Sequence, residues 1–274
     1  MNVKYQQALT AIVALAMTAL APLAHGAIVS PITGWAVHNG SSTPGGTPSN
    51  PTFTPGDNIT LMAPFDDIEL ANDGDYVEVS VDLTMNNRST TGVNTLNTQL
   101  RIGMFDGPAG VIVANDVPNL GFIIEYTNQG AGGLIREQES ALQTSPFILP
   151  TNIGNGTADS DSIAGANPPL VTFVLRMTRN AGELDLTGSI TGGSHLANYS
   201  VTGHSSTNFP ANGTFNFNRI GLYLGDGVNA ADASLANAVV ETNVPEPQSI
   251  CLAALAAFGC FAVRSRRRHA SSRS

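Results

Sequence analysis

The chain has 274 residues, 42% of them hydrophobic and 12% charged, with a formal net charge of −9. That much apolar material excludes an intrinsically disordered chain, and the acidic balance disfavours nucleic acid and anionic lipid as partners. Both cysteines, Cys251 and Cys260, lie near the C-terminus, so no disulfide framework supports the bulk of the chain.

At the N-terminus, Met1 to Gly26 carries a single cation, Lys4, followed by an apolar stretch from Ala8 to Leu23 and the small residues Ala24 and Gly26. This order of features predicts a secretory signal helix over residues 1–26, cut between Gly26 and Ala27. A retained N-terminal anchor is the alternative. The segment from Ala27 to Asn243 is long enough for one large domain and short for two. Of the 12 basic residues, Lys4, Arg264, Arg266, Arg267, Arg268 and Arg273 lie outside it, and of the 21 acids only Glu246 does; six against 20 remain, a balance of −14. Such a domain favours cations over anions.

Along this domain, apolar and polar residues alternate with a period of two, and no amphipathic helix stands out. Tyr76 to Met85 is the clearest case, with Val77, Val79, Val81, Leu83 and Met85 on one face and Glu78, Ser80, Asp82 and Thr84 on the other. Further strands are predicted at 35–37, 59–62, 99–105, 120–126, 134–137, 171–178, 184–190, 199–202, 215–224 and 238–242. Asn180-Ala181-Gly182 supplies a hairpin loop between two of them. Many short strands without helical spacers predict an all-β, antiparallel β-sandwich. Two segments break the rhythm. His38 to Asp57 is rich in Gly, Ser and Pro and reads as a surface loop. Ala141 to Pro169 reads as a rim loop whose Phe147, Ile148 and Leu149 pin it to the sandwich.

The run Phe217 to Leu224, followed by a last strand Asn237 to Glu241, is similar to the closing strands of concanavalin A-like lectin and glucanase jelly rolls. The resemblance spans about Asn58 to Thr242 and implies a jelly-roll sandwich and a polysaccharide as the partner class. In the glucanases of this class a strand carries Glu-x-Asp-x-x-Glu, whose glutamates act as nucleophile and general acid/base. Here Glu183-Leu184-Asp185 matches its start, and Gly188 stands where the second glutamate belongs. No catalytic residue is therefore assigned. A jelly-roll polysaccharide lyase is the competing enzyme reading, and it would draw on His195, Tyr199, His204, Arg176 and Arg179. That family's signature triplets are missing, and surface histidines are the plainer explanation.

No Cys and His metal pattern occurs. Asp66, Asp67, Glu69, Asp73 and Asp75 offer oxygens to Ca²⁺ or form a solvated acidic turn; no other cofactor is implied.

The chain ends with Val244-Pro245-Glu246-Pro247, an apolar run from Ile250 to Val263, and Arg264, Arg266, Arg267 and Arg268. A helix over residues 249–263 spans about 22 Å at ~1.5 Å per residue, so snorkelling arginines have to complete a membrane crossing. The arginines stay on the cytoplasmic side, which places the domain outside. These three elements in order resemble the PEP-CTERM sorting signal from Val244 to about His269, within a sorting and anchor segment at residues 244–274. The resemblance implies recognition by a sorting protease or transpeptidase of the exosortase type, with delivery to the cell surface or matrix. A permanent stop-transfer anchor is the alternative.

Overall fold

The structure, a computed structural model, describes residues 27–39, 44–53, 59–86, 100–108, 119–126, 133–138, 147, 151–155, 171–192, 196–205, 214–224 and 232–244. Among these residues every regular element is a strand. In chain order they are β1 (Ile28–Pro31), β2 (Ala36–Asn39), β3 (Gly45–Thr47), β4 (Asn50–Phe53), β5 (Ile59–Glu69), β6 (Tyr76–Asn86), β7 (Leu100–Asp106) and β8 (Leu120–Tyr126), followed by β9 (Gly133–Gln138), β10 (Thr151–Asn155), β11 (Val171–Asn180), β12 (Glu183–Gly192), β13 (Leu196–His204), β14 (Asn216–Leu224) and β15 (Asp232–Thr242). The N-terminal signal helix and the C-terminal transmembrane helix expected from the sequence lie outside the described residues, as does the site between Gly26 and Ala27 on its Gly26 side.

An eight-stranded sheet runs β13-β12-β11-β6-β15-β4-β3, with β1 also paired to β15, and a seven-stranded sheet runs β10-β9-β8-β7-β14-β5-β2. The antiparallel sandwich expected from the alternation is present, because each sheet turns one apolar face inward. Val77, Val79, Val81 and Leu83 of β6 are no more than 1% exposed and pack with Phe173, Leu175 and Met177 of β11 against Leu61, Ile102, Met104, Phe122, Ile124, Ile220 and Leu222 of the facing sheet. The β11–β12 hairpin closes with Asn180 opposite Glu183, leaving only Ala181 and Gly182 in the turn. Both have positive φ, 50° and 84°, as a two-residue turn matched to strand twist requires.

Two segments read as loops contain strands. Within 38–57, β3 and β4 form a hairpin over Pro48 and Ser49, and Phe53 is buried against the core. β10 lies within 141–169. In both cases Pro and Gly mask the alternation, while sheet neighbours supply the order. The acidic residues Asp66, Asp67 and Glu69 also fall inside β5, and the turn proper comes after them.

The outer face of the seven-stranded sheet is itself covered. Phe147 packs on Phe105 at 5.3 Å between ring centroids and on Tyr223 at 5.7 Å. The rings lie over Gly221, where a Cβ would come 3.0 Å from Phe105 and 3.1 Å from Phe147. Beside them the buried Glu125 carboxylate holds Arg101 Nε at 3.0 Å and Arg136 Nε at 2.6 Å, and Arg101 Nη1 donates to the Phe147 carbonyl at 2.7 Å. The rim-loop expectation for Phe147 is met, while Ile148 and Leu149 lie outside the described residues. At one margin β10 of this sheet meets β13 of the other, and Gly154 and Gly203 allow the backbones to touch: a Cβ on Gly154 would collide with the Thr202 carbonyl.

Candidate functional site

Among the described residues the outer face of the eight-stranded sheet is exposed at Thr187, Thr202 and His204, and strand register arranges polar side chains on it in rows. Glu241 of β15 stands opposite Glu78 of β6, Glu78 opposite Arg176 of β11, Arg176 opposite Thr187 of β12, and Thr187 opposite Thr202 of β13. With neighbouring strands ~4.8 Å apart, this row spans about 19 Å. A parallel row runs from Tyr76 through Thr178 and Asp185 to His204. Each of these residues alternates with a core residue on its strand, so burying the apolar face fixes the polar one outward.

The rows are linked by side-chain bonds. Tyr76 Oη donates to Glu241 Oε1 at 2.7 Å. The Arg176 guanidinium lies 3.6 Å over the Tyr76 ring centroid and its Nη1 is 3.7 Å from Glu78 Oε2. Partial burial raises the pKa of Glu78, with the charge of Glu241 adding to the effect and Arg176 opposing it. Tyr76 is raised as well, by burial first and then by its hydrogen bond to Glu241. Two carboxylates directly opposite across a ladder repel, and the tyrosine hydroxyl and guanidinium offset that repulsion. Further along, His204 Nδ1 lies 2.6 Å from Asp185 Oδ1, and Asn180 Nδ2 donates to Asp185 Oδ2 at 2.9 Å. The His204–Asp185 pair is exposed and adds little to stability.

Arg176 is set apart from the other described arginines by its place on this outer face. Arg101 and Arg136 are committed to Glu125. Arg219 donates to Asn218 Oδ1 and the Pro108 carbonyl, and burial lowers its pKa. Arg179 donates to the Leu70 carbonyl at 2.7 Å and stacks 4.1 Å over Phe215 at the end of the sandwich.

The residues singled out from the sequence are distributed as follows. Glu183 and Asp185 sit on the outer face of β12. Gly188 faces inward opposite Leu175, and a Cβ there would lie 2.5 Å from Ile124 Cδ1. The regular strand therefore sends position 188 to the core, away from Asp185, so more than the missing glutamate separates this strand from a glucanase site. The lyase group is not gathered among the described residues: Arg176 and Arg179 point to different places, His204 pairs with Asp185, Tyr199 is described only as backbone opposite Ile190, and His195 is outside the described residues. Nor are the five acids proposed for calcium gathered. Asp66, Asp67 and Glu69 are exposed along β5, Asp73 Oδ1 faces Arg179 Nε at 4.0 Å, and Asp75 Oδ2 accepts from the Asn72 amide at 2.7 Å. Among the described residues no group of three or more His, Cys, Asp or Glu is placed to hold a metal ion. The Glu78, Glu241, Tyr76 and Arg176 group was not singled out from the sequence, because only strand order shows that β6 and β15 are neighbours.

Of the sorting residues, Val244 is described, while Pro245, Glu246, Pro247, Arg264, Arg266, Arg267 and Arg268 are outside the described residues. Among the described residues no helix is long and apolar enough to cross a membrane. Where β15 ends, Asn243 Oδ1 accepts from the Tyr76 amide at 2.8 Å and its Nδ2 donates to the Gly74 carbonyl at 3.0 Å. Thr242 Oγ1 donates to the Tyr76 carbonyl at 2.6 Å and accepts from the Val244 amide at 3.1 Å. Val244 packs against the core.

The class these observations define is an all-β antiparallel sandwich bearing a C-terminal sorting signal. Residues 243–268 match the PEP-CTERM protein-sorting motif, which indicates export, exosortase processing and sorting to the cell surface. Similar solved structures include lectin I-B4 from Griffonia simplicifolia, at 10% identity and a TM-score of 0.49, over 80% of this chain and 100% of that one. An endo-1,3-beta-glucanase from Streptomyces sioyaensis has 14% identity and a TM-score of 0.49, over 82% of this chain and 98% of that one. Arcelin-5, a lectin-like defense protein from Phaseolus vulgaris, has 8% identity and a TM-score of 0.46, over 80% and 98%. No curated protein matches the chain.

Proposed function

We propose that this is a non-catalytic surface or extracellular-matrix protein that binds polysaccharide through the outer face of its eight-stranded sheet. In this reading residues 1–26 leave as a signal peptide, residues 27–243 form a jelly-roll domain, and a helix at 249–263 holds the chain in the membrane until an exosortase-type enzyme acts near Pro245-Glu246-Pro247. The observation that carries the binding proposal is the row Glu241, Glu78, Arg176, Thr187 and Thr202, a line of donors and acceptors held in register over five strands. Such a line suits the hydroxyls of an extended sugar chain, which need fixed partners more than an enclosing cavity. The exported protein is expected to be retained on one or more immobilised polysaccharides, with retention weakened by Arg176→Ala and by Thr187→Ala together with Thr202→Ala. It is expected to release neither reducing ends nor unsaturated uronates from them. Equal retention of all variants would overturn the assignment of this face.

One observation favours an enzymatic reading instead. Cross-strand neighbours have Cβ atoms about 5 Å apart, and a retaining glycoside hydrolase works with two carboxyls at about that separation, one of them holding a proton at working pH. Glu78 and Glu241 are such neighbours, and burial holds a proton on Glu78 to higher pH than usual. Polysaccharide cleavage lost in both Glu78→Gln and Glu241→Gln would establish this reading over the binding one.

A further inference from the structure

The sorting motif and the folded domain share residues. The match to the motif begins at residue 243, yet Asn243 and Val244 belong to the sandwich by hydrogen bonding and packing. Only Asn243 and Val244 separate β15 from Pro245. A processing enzyme has to take its substrate as an accessible strand of several residues around the bond that breaks, and backbone already paired within a fold is not accessible until it opens. We propose that Asn243 is a substrate-side specificity determinant: its clamp on Tyr76 and Gly74 closes the last residues of the sandwich to the processing enzyme and confines cleavage to Pro245 and beyond. The proposal rests on the sorting reading given above.

The clamp is well built for this. A single side chain amide both accepts and donates, so it fixes the end of β15 to the turn at Gly74 and the start of β6 together. The turn it grips is held in its own right, since the Gly74 amide donates to the Arg179 carbonyl at 2.9 Å and the Arg179 amide to the Asp75 carbonyl at 2.9 Å. Thr242 adds a second fastening to Tyr76. Opening the clamp therefore leaves Thr242 and the strand ladder behind it in place, and local release needs no global unfolding.

The test follows processing of the full-length protein in a cell that exports and processes it, by pulse-chase for the rate and by intact mass for the new C-terminus. The wild type should yield C-termini at Pro245 or later. Asn243→Ala removes both hydrogen bonds and should be processed faster by up to about 30-fold, the equilibrium factor for two hydrogen bonds of ordinary net strength, and should yield ends upstream of Pro245 as well. Asn243→Asp keeps the acceptor for the Tyr76 amide and should fall between the two. Thr172→Val removes a 2.5 Å hydrogen bond to Asp82 at the other end of the same sheet and should process as the wild type does, which separates local release from general loosening. The clamp is refuted by wild-type ends upstream of Pro245, by unchanged rate and ends in Asn243→Ala, or by the same gain in Thr172→Val. Absence of processing in every form would instead refute the sorting reading beneath it.

Discussion

Gly188→Glu supplies the third carboxylate of a Glu-x-Asp-x-x-Glu strand and so tests directly whether β12 is a crippled catalytic strand or an ordinary one. In the structure position 188 faces the core: any Cβ would lie 2.5 Å from Ile124 Cδ1 and 3.1 Å from Val201 Cγ1. Forcing atoms into such a site costs about 1–3 kcal/mol through displaced neighbours. The carboxyl beyond the Cβ would enter the apolar layer of Leu175, Ile124 and Val201, where an unpaired polar group adds roughly 2–7 kcal/mol even if it stays protonated. The sum is comparable with the whole stability of an ordinary domain, about 5–15 kcal/mol. Denaturant unfolding of Gly188→Ala isolates the packing part, and the additional loss in Gly188→Glu isolates the carboxyl. Because burial raises that carboxyl's pKa, the additional loss should shrink as pH falls toward the unfolded value near ~4.3. A Gly188→Glu protein that unfolds at wild-type denaturant concentration, or that gains glucan hydrolysis, would refute the inward placement of this residue.

Val81→Asp places a charge opposite Phe173 at a position 1% exposed and should lose several kcal/mol, on the order of 3 or more, or fail to fold; a protease-resistant secreted variant would show that the register of β6 is wrong. Glu125→Ala leaves Arg101 and Arg136 without their shared carboxylate beneath Phe147 and should cost about 3–5 kcal/mol by denaturant melts, whereas the loss of an exposed pair would be barely measurable. For Glu78→Gln the sign follows from the raised pKa. The folded state disfavours the ionised carboxyl, so native Glu78 is most favourable below its unfolded pKa and loses stability as pH rises through the folded value. The variant should therefore melt higher than wild type at pH 7 and equal to it near pH ~3; a lower melting temperature at pH 7 would mean that the Arg176 contact outweighs burial.

β6 was legible in the sequence because one of its faces meets the core and the other meets water, which writes the alternation into Tyr76 to Leu83 residue by residue. The start of β5 was legible only as an apolar run, since Ile59 to Ala63 are buried on both sides of the sheet, Met62 beneath the Phe147 cluster. β3, β4 and β10 were hidden because their Gly, Pro and Asn residues carry little side-chain signal and their order comes from neighbouring strands. The candidate site was less legible than the fold. Glu78 and Glu241 each read as the polar position of an amphipathic strand, and what joins them is the pairing of strands from distant parts of the chain, which local pattern does not encode. The motif at the C-terminus was readable for the opposite reason, as its signal is contiguous.

The sandwich treats its two margins differently, and this bears on how the protein behaves when crowded. At one margin β10 and β13 lean on each other through Gly154 and Gly203, so neither presents a bare strand to another chain. At the other margin of the eight-stranded sheet, β3 is three residues long, fully exposed, and bracketed by Pro44 and Pro48, with Pro51 in its partner strand. A short edge broken by prolines is a poor template for an incoming strand. This edge is thereby protected from templating copies of the chain into fibres, and the Pro-rich segment that obscured β3 and β4 in the sequence is the part that provides the protection.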